Sequence, residues 1–239
     1  MIESKCKIIE NKQIARDTYE MTLETPAVLE SVPGQFINVK LREHFLRRPI
    51  SISSHDEDRI IIVYKVVGVG TRDLAARTHG TVEILYPLGN GYNLGSIPDA
   101  PVLVGGGVGI PPLYGLAKAL TGRGKKPDVI LGFGTGEEVF YEEKFRALGL
   151  DVKITTLDGT AGKKGVVTDV LDPGRYVCAC GPEGMLKAVD RLSSGGQYSF
   201  EERMACGFGA CMGCSCQTKY GNKRICKDGP VLRKEEILW

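Results

Sequence analysis

The sequence predicts an antiparallel β-barrel, then an α/β domain built on a parallel sheet, and last a small Cys-rich C-terminal domain. Three patterns along the 239 residues support this order. Six short β-type segments fill residues 1–98, strand and helix patterns alternate over residues 99–195, and five of the eight cysteines lie between Cys206 and Cys226. We therefore expect three domains, at residues 1–98, 99–195 and 196–239.

Composition limits the class of protein before any motif is considered. With 42% apolar residues and a net charge of +2, the chain differs from disordered and collagen-like sequences, and its cysteines are too sparse for a disulfide scaffold. The near-zero charge offers no basic face for nucleic acid. The first residues lack the apolar core of a secretory signal, so we expect a cytoplasmic protein, in which clustered cysteines more often bind metal than form disulfides.

The first domain is predicted to contain six strands separated by turns. The segments are rich in Val, Ile, Thr and Tyr, and turn-forming sequences such as residues 31–34 and 55–58 separate them. The predicted strands are residues 4–11, 18–24, 35–41, 49–53, 60–67 and 80–85. Closure into a barrel would remove the exposed edges that these strands would otherwise present.

From residue 101 strand and helix patterns alternate, as expected for parallel strands joined by crossover helices. The predicted strands are residues 102–104, 128–132, 151–156 and 175–180, and the predicted helices are residues 111–120, 137–148, 166–171 and 182–192. Residues 100–121 carry only Lys118 as a charge and match the length of a membrane span. We expect no membrane segment there, because the Gly and Pro residues in the middle would break a spanning helix.

The cysteine cluster is the most specific motif of the chain. Cys206, Cys211, Cys214 and Cys226 have the C-x4-C-x2-C…C spacing of plant-type [2Fe-2S] sites. A structural zinc site is the alternative, although zinc ribbons prefer pairs of C-x2-C. Cys216 competes with Cys226 as the fourth ligand. We predict Cys226, because it lies on a later segment that can close the cage from the other side.

A glycine-rich turn joins the first strand of the α/β domain to a helix. It consists of Gly105, Gly106, Gly107, Val108 and Gly109. Its bare N–H groups and the dipole of the helix could hold a phosphate, although the turn is not the G-x-G-x-x-G fingerprint and a tight turn without a ligand is the alternative. Cys180 is predicted to stand at a carboxyl end of the same sheet, where ligands bind, although such a cysteine is more often a small buried apolar group.

Two segments of the barrel domain could meet a diphosphate. Arg48, beside Pro49, could pair with such a group, and Gly70 and Thr71 could begin a short helix whose N-terminus binds it. A surface strand is the alternative for the Arg-Pro-x-Ser sequence, which has little specificity by itself. The histidines show no metal-binding spacing and are expected at the surface or in turns: His44, His55 and His79.

Taken together, these motifs resemble the ferredoxin-reductase superfamily and, within it, the electron-transfer subunits of class B dihydroorotate dehydrogenase. The resemblance extends over essentially the whole chain. It implies an FAD site formed by Arg48, Pro49, Ile50, Ser51, Val63, Tyr64, Lys65, Gly70 and Thr71. It implies an NAD(H) site formed by Gly105, Gly106, Gly107, Val108, Gly109, Cys180, Gly181 and Pro182, with Cys180 as a neighbour of the nicotinamide. It implies no catalytic side chain beyond the cofactors, and the superfamily usually has Tyr at the position of Ile50.

The resemblance implies an electron relay. A nicotinamide gives up two electrons as hydride and a [2Fe-2S] cluster accepts one at a time, whereas a flavin can exchange electrons in both ways. In the resembling family the electrons pass between NAD+ and the FMN of a separate catalytic subunit that oxidises dihydroorotate to orotate in pyrimidine biosynthesis, in a heterotetramer of two of each subunit. The three predicted domains fill the 239 residues, so a catalytic TIM barrel of about 250 residues must belong to a partner chain.

Two other functions stay open at this point. The same flavin and nucleotide domains serve NAD(P)H reductase subunits for ferredoxin or hydrogenase, and a nucleotide-binding sensor with a zinc-stabilised tail would not be an enzyme. Residues 132–138 contain two acids and no Arg or Lys. This favours NAD over NADP, because the acids would repel a 2′-phosphate.

Overall fold

The computed structural model describes residues 1–26, 30–42 and 44–239. Six strands between residues 2 and 88 form a closed antiparallel barrel. Its strands are β1 (Ile2–Ala15), β2 (Thr18–Glu24), β3 (Phe36–Lys40), β4 (Arg48–His55), β5 (Arg59–Lys65) and β6 (Thr81–Leu88). They follow one another around the barrel in the order β1-β2-β5-β4-β3-β6. The predicted barrel and all six of its strands are therefore confirmed. A short helix, α1 (Val69–Ala75), follows β5.

Alternating burial explains why these segments close into a barrel. Side chains along a strand point to opposite faces, and in β1 Cys6 and Ile8 are buried while the alternating residues Lys5 and Lys7 are exposed. The barrel interior is apolar, and several of its side chains are completely buried: Met21, Leu23, Ile37, Val39, Ile60, Ile62 and Ile84. This core stabilises the barrel by removing apolar surface from water.

The α/β part is a seven-stranded sheet. Its strands are β7 (Val102–Gly106), β8 (Asp128–Phe133), β9 (Val152–Thr156), β10 (Lys163–Lys164), β11 (Tyr176–Cys180), β12 (Gly195–Ser199) and β15 (Val231–Arg233). They lie in the order β10-β9-β8-β7-β11-β12-β15 across the sheet. All neighbouring strands are parallel except β15, which is antiparallel to β12. The helices are α2 (Ile110–Thr121), α3 (Glu142–Arg146) and α4 (Glu183–Leu192).

Residues 100–121 form β7, a tight turn and α2, which has Pro111 and Pro112 in its first turn. The two prolines are tolerated there because the first N–H groups of a helix have no intrahelical partner. Across the described ranges, no helix has the length and apolar character needed to cross a bilayer.

Two helix predictions in the α/β part are wrong in extent. In the segment predicted as a helix over 137–148, residues 136–138 form a 3-10 turn, and Tyr141 has a φ of +67°, which interrupts the helix before α3. Tyr141 is held there because its buried hydroxyl donates to Glu20 of the barrel at 2.6 Å. The helix predicted over 166–171 is only the 3-10 turn Val167–Asp169.

The C-terminal segment contributes two strands to the α/β sheet. β12 pairs with β11, and β15 pairs with β12, so the expected boundary between residues 195 and 196 lies within a strand. Gly196 is required in β12 because a Cβ there would lie 2.4 Å from the carbonyl oxygen of Val177. In the sequence between β12 and β15, a hairpin of β13 (Ser215–Thr218) and β14 (Gly221–Arg224) follows the cysteine segment of residues 206–214. The domain boundaries themselves stay a prediction.

Candidate functional site

A cavity of about 490 Å³ lies where the barrel, the α/β sheet and the C-terminal segment meet. The side chains and backbone of all the residues predicted for FAD line it: Arg48, Pro49, Ile50, Ser51, Val63, Tyr64, Lys65, Gly70 and Thr71. Val108 and Cys180 of the predicted nucleotide site line it as well. Residues 199–202 and Met204, which precede the cysteine motif, complete the lining together with Phe36 and Pro230. Three segments that are far apart in sequence therefore share one cavity.

Arg48 is held in place by a chain of hydrogen bonds that the sequence analysis did not foresee. Its guanidinium donates to His44 Nδ1 at 3.1 Å and also to the Leu46 carbonyl oxygen. Because a guanidinium can only donate, the other ring nitrogen of His44 carries the proton and donates to Asp73 at 2.6 Å. Asp73 belongs to α1, so the chain of bonds joins the start of β4 to that helix.

The start of α1 lies directly against the Arg48 guanidinium. A Cβ at Gly70 would lie 2.4 Å from Arg48 Nε, so a larger residue there would displace the guanidinium from this position. The Thr71 hydroxyl accepts the backbone N–H of Val67 at 3.0 Å. This corner of the cavity combines a positive side chain with exposed backbone, which is the donor set that a diphosphate requires.

Tyr64 and Lys65 both have partners inside the chain. The buried Tyr64 hydroxyl donates to Asn11 Oδ1 at 2.9 Å, and burial raises the pKa of Tyr64 above its usual range. Lys65 Nζ donates to Glu138 at 2.7 Å, in the loop that follows β8. Lys65 therefore connects the wall of the cavity to the α/β part.

The two predicted nucleotide segments lie side by side. Gly105 in β7 is opposite Cys180 in β11, and a Cβ at Gly109 would lie 2.3 Å from the Cys180 carbonyl oxygen. Gly181 has a φ of +154°, and a Cβ there would lie 3.0 Å from the backbone nitrogen of Gly106. The glycines allow two backbone segments to approach closely at the carboxyl edge of the sheet, the edge where such folds bind ligands.

Cys180 is almost fully buried, with 2% of its surface exposed. Burial is the main reason why its pKa is raised to about 12, and the nearby carboxylate of Glu201 raises it further. The thiol is therefore protonated at neutral pH and cannot act as a thiolate nucleophile. Glu201 lines the same cavity and had no predicted role, although its position just ahead of the cysteine motif was a signal that could have identified it.

Backbone hydrogen bonds link the four predicted cluster ligands in two pairs. The N–H of Cys211 donates to Cys206 Sγ, and the N–H of Cys226 donates to Cys214 Sγ. Burial raises the pKa of Cys206, but backbone N–H donors, first that of Cys211 and then that of Phe208, outweigh it and lower the pKa to about 6. Burial, followed by the hydrogen bond with Cys214, raises the pKa of Cys226 to about 12.

The backbone around Cys206 curls so that N–H groups reach the sulfur. Residues 207, 209 and 212 all have φ between +60° and +88°. The N–H groups of Ala210 and Cys211 donate to Cys206 Sγ at 3.3 and 3.5 Å, and the N–H of Cys226 donates to Cys214 Sγ at 3.4 Å. Such donors stabilise negative charge on sulfur, as a thiolate-bound iron centre requires.

The donor set fits a two-iron cluster better than a single zinc ion. A structural zinc site needs four ligands around one point, whereas a [2Fe-2S] cluster needs a pair of thiolates for each iron. The two pairs of cysteines match the second requirement.

Cys216 lies on the hairpin that follows Cys214. It is half-buried in β13, opposite Lys223, and lines a second cavity of about 510 Å³ together with Gln217 and Trp239. Burial raises the pKa of Cys216, and the charge of Glu202 raises it further. This placement favours Cys226 over Cys216 as the fourth ligand.

Comparisons with known proteins agree with the geometry. A model of the iron–sulfur cluster binding domain of dihydroorotate dehydrogenase B matches residues 201–238. The dihydroorotate dehydrogenase B (NAD(+)) electron transfer subunit of Fusobacterium nucleatum is 44% identical over 97% of this chain and 97% of its own length. The subunit of the same name from Lysinibacillus sphaericus is 41% identical over 98% of each chain.

Solved structures show the same architecture. A chain of the NADH-dependent reduced ferredoxin-NADP oxidoreductase, described in connection with flavin-based electron bifurcation, matches with a TM-score of 0.88 and 32% identity over 98% of this chain and 90% of that chain. An Amycolatopsis cytochrome P450 reductase matches with a TM-score of 0.70 and 24% identity over 80% of this chain and 66% of that chain, a likeness of fold alone. The chain belongs to the family of the electron transfer subunits of dihydroorotate dehydrogenase B (NAD(+)) and carries the iron–sulfur cluster binding domain of that family.

Proposed function

We propose that the chain passes electrons between NAD(H) and the FMN of a separate subunit that oxidises dihydroorotate to orotate. The relay consists of FAD in the 490 Å³ cavity and a [2Fe-2S] cluster bound by Cys206, Cys211, Cys214 and Cys226. The observation that carries this proposal is that one cavity is lined by the predicted flavin residues, by Cys180 and by the segment leading to Cys206. The functional units would be an FAD-binding barrel over residues 1–98, an NAD-binding domain over 99–195 and a cluster domain over 196–239.

The barrel side of the cavity would bind the flavin. Arg48 would pair with the diphosphate through charge-assisted hydrogen bonds, helped by the backbone at Gly70. Ile50 and Val63 offer apolar contacts for a ring system, because both are apolar residues that line the cavity. When bound, the flavin supplies the exchange between hydride and single electrons.

The α/β side would bind the nicotinamide nucleotide. The N–H groups of residues 106–110 and the dipole of α2 suit a diphosphate, and Cys180, a small neutral thiol at the carboxyl edge of the sheet, suits the neighbourhood of the nicotinamide ring. The acids that favour NAD over NADP have barrel partners: Glu138 is paired with Lys65, and Glu137 lies 3.4 Å from Arg16. Lys65 and Arg16 are therefore already paired with these acids and are not free to bind a 2′-phosphate. This supports the proposed preference for NAD.

A catalytic partner is implied by the family, in which this chain is the electron transfer subunit. We propose that this partner contains FMN and that two copies of each chain form a heterotetramer. Phe208 and Met212 are exposed apolar residues beside the exposed Cys211, so they offer a contact surface next to the cluster. All eight cysteines lie in the described ranges and are free thiols, which fits a reducing compartment such as the cytoplasm.

A second candidate function is supported by one comparison. The likeness to a chain of the NADH-dependent reduced ferredoxin-NADP oxidoreductase, at 32% identity, is consistent with a reductase subunit that serves ferredoxin. That enzyme would use the same flavin and nucleotide sites, so the two candidates differ in the partner that receives or supplies the electrons.

Copurification together with cofactor analysis tests the proposal. We expect a complex with an FMN-containing subunit, FAD and iron plus acid-labile sulfide in the purified material, and reduction of NAD+ when dihydroorotate is added. A large flavoprotein partner and activity with ferredoxin would instead support the second candidate. A colourless chain containing zinc would contradict both.

A further inference from the structure

Strand β3 lies between the barrel core and the cysteine segment of residues 206–214, and its two faces have different neighbours. Ile37 and Val39 point into the barrel core. Phe36 lies on the other face, where it lines the cavity and packs in the apolar cluster that contains Cys214 and Cys226. Asn38 shares the face of Phe36, because alternate residues of a strand point the same way. This face is therefore where the barrel meets the cysteine segment.

Asn38 is the polar member of this contact. It is 1% exposed, and its Nδ2 donates to the carbonyl oxygen of Cys206 at 3.1 Å. The amide orientation follows from this contact, because the oxygen of the side chain could not face another carbonyl oxygen. Asn38 Oδ1 is buried and has no hydrogen-bond partner among the described residues.

The loop is built to accept this side chain. Gly207 follows Cys206 with a φ of +77°, and a Cβ at Gly207 would lie 1.9 Å from Asn38 Nδ2. A buried asparagine with an unsatisfied oxygen is unfavourable in a core that an apolar residue could fill. Its single hydrogen bond, to the backbone of a proposed iron ligand, is thus the contact that distinguishes it from an apolar residue.

We propose that Asn38 is a positioning residue for the iron–sulfur loop, an inference that rests on the proposed function. By holding the Cys206 carbonyl, it keeps the loop in the conformation in which the N–H groups of Ala210 and Cys211 reach the Cys206 sulfur. It also fixes the loop against β3, the strand that pairs with the flavin-lining residues of β4, where Asn38 is opposite Pro49. One side chain would thus set both the environment of the cluster and its position relative to the flavin.

The direction of the effect follows from charge. Hydrogen bonds to the sulfur stabilise the reduced cluster more than the oxidised one, because the reduced cluster carries more negative charge. Without the Asn38 amide the loop is free to relax, those bonds weaken and the reduced form loses stability. Losing one such bond corresponds to a change of about tenfold in an equilibrium constant, or about 59 mV for a one-electron couple.

The test compares Asn38→Leu, which keeps the branched shape of the side chain and removes the donor, with Asn38→Ala, which removes the donor without adding bulk. Both are measured in the complex with its bound partner, by redox titration followed by electron paramagnetic resonance (EPR) of the reduced cluster. We expect iron and FAD contents close to those of the wild type, an altered EPR spectrum and a midpoint potential that is more negative by about 59 mV.

Gln197→Leu is the matched control. Gln197 is also 1% exposed and donates to the Asn93 carbonyl oxygen, in a region that lines neither cavity described above. This variant should lower the melting temperature and leave the cluster spectrum and potential unchanged. Wild-type spectra and potentials in both Asn38 variants would overturn the inference alone. A wild-type complex without any iron–sulfur signal would overturn the proposed function, and this inference with it.

Discussion

The two sides of the 490 Å³ cavity are organised by different physical means. The barrel side rests on paired strands around a fully buried apolar core, and its polar side chains are tied to one another, as in the chain from Arg48 through His44 to Asp73. The cysteine loop of residues 206–213 has no regular secondary structure. Its shape comes from left-handed backbone positions and from backbone N–H groups that donate to the Cys206 sulfur.

This difference indicates how each side depends on its ligand. The barrel and the sheet have cores of their own and would keep their shape without a cofactor. The cysteine loop contributes few buried side chains, so bound iron would supply the cross-links that the missing core does not. Removing a cluster ligand should therefore disturb one side of the cavity and leave the other side intact.

The largest effect is expected from the fourth ligand. Cys226→Ser should lose essentially all of the iron and sulfide, because one iron would keep only a single thiolate, while FAD stays bound. Cys216→Ser is the matched control and should keep the full iron content. Metal analysis and visible spectra of both variants check this prediction. A chain that loses iron on Cys216→Ser and keeps it on Cys226→Ser would reverse the ligand assignment.

A smaller effect is expected on the barrel side. Arg48→Leu should weaken FAD binding by roughly 10- to 100-fold, since a hydrogen bond to a charged group contributes about 1.5–3 kcal/mol. The iron content should not change. Equilibrium dialysis of FAD measures the affinity, and the neighbouring Arg47→Leu serves as the control, because Arg47 pairs with Glu3 instead of lining the cavity. Equal losses in the two variants would contradict the role given to Arg48.

A buried contact between the barrel and the α/β part offers a second prediction for the barrel side of the cavity. Glu20 is buried and accepts hydrogen bonds from Tyr141 and Lys144. Burial alone would raise the pKa of Glu20, but the bonds from Lys144 and Tyr141 outweigh it, so the pKa is lowered. Glu20→Gln should therefore cost about 1–3 kcal/mol of stability at neutral pH without loss of iron.

The pH dependence of that cost has a definite sign. Since folding lowers the pKa of Glu20, its contribution is complete above the unfolded value of about 4.3 and is lost as the pH falls through the folded value. The difference in melting temperature between wild type and Glu20→Gln should thus be largest near pH 7 and shrink below about pH 4. A difference that stays constant with pH would show that the charge of Glu20 does not matter.

Local patterns predicted most of the architecture. Alternation of apolar and polar residues along β1 and its neighbours is set by which face of each strand is buried, so it is visible in the sequence. The cysteine spacing is local as well, because one short loop bears three of the four proposed ligands.

The features that escaped prediction depend on distant contacts. Tyr141 leaves the helical conformation because its hydroxyl reaches Glu20, which is 121 residues earlier in the chain. β12 is rich in glycine and polar residues, and it is a strand because β11 and β15 flank it. The contact between Asn38 and Cys206 spans 168 positions, so no local pattern announces it.

We propose that the nicotinamide, the flavin and the cluster exchange electrons across the 490 Å³ cavity and the adjoining cysteine segment. Anaerobic addition of NADH to the purified protein, with any partner that it retains, tests this most directly. The flavin absorbance and the EPR spectrum of the cluster are followed together. We predict that NADH bleaches the flavin and that the signal of a reduced [2Fe-2S] cluster then appears. Bleaching of the flavin with no cluster signal, in protein that contains iron and sulfide, would contradict the account.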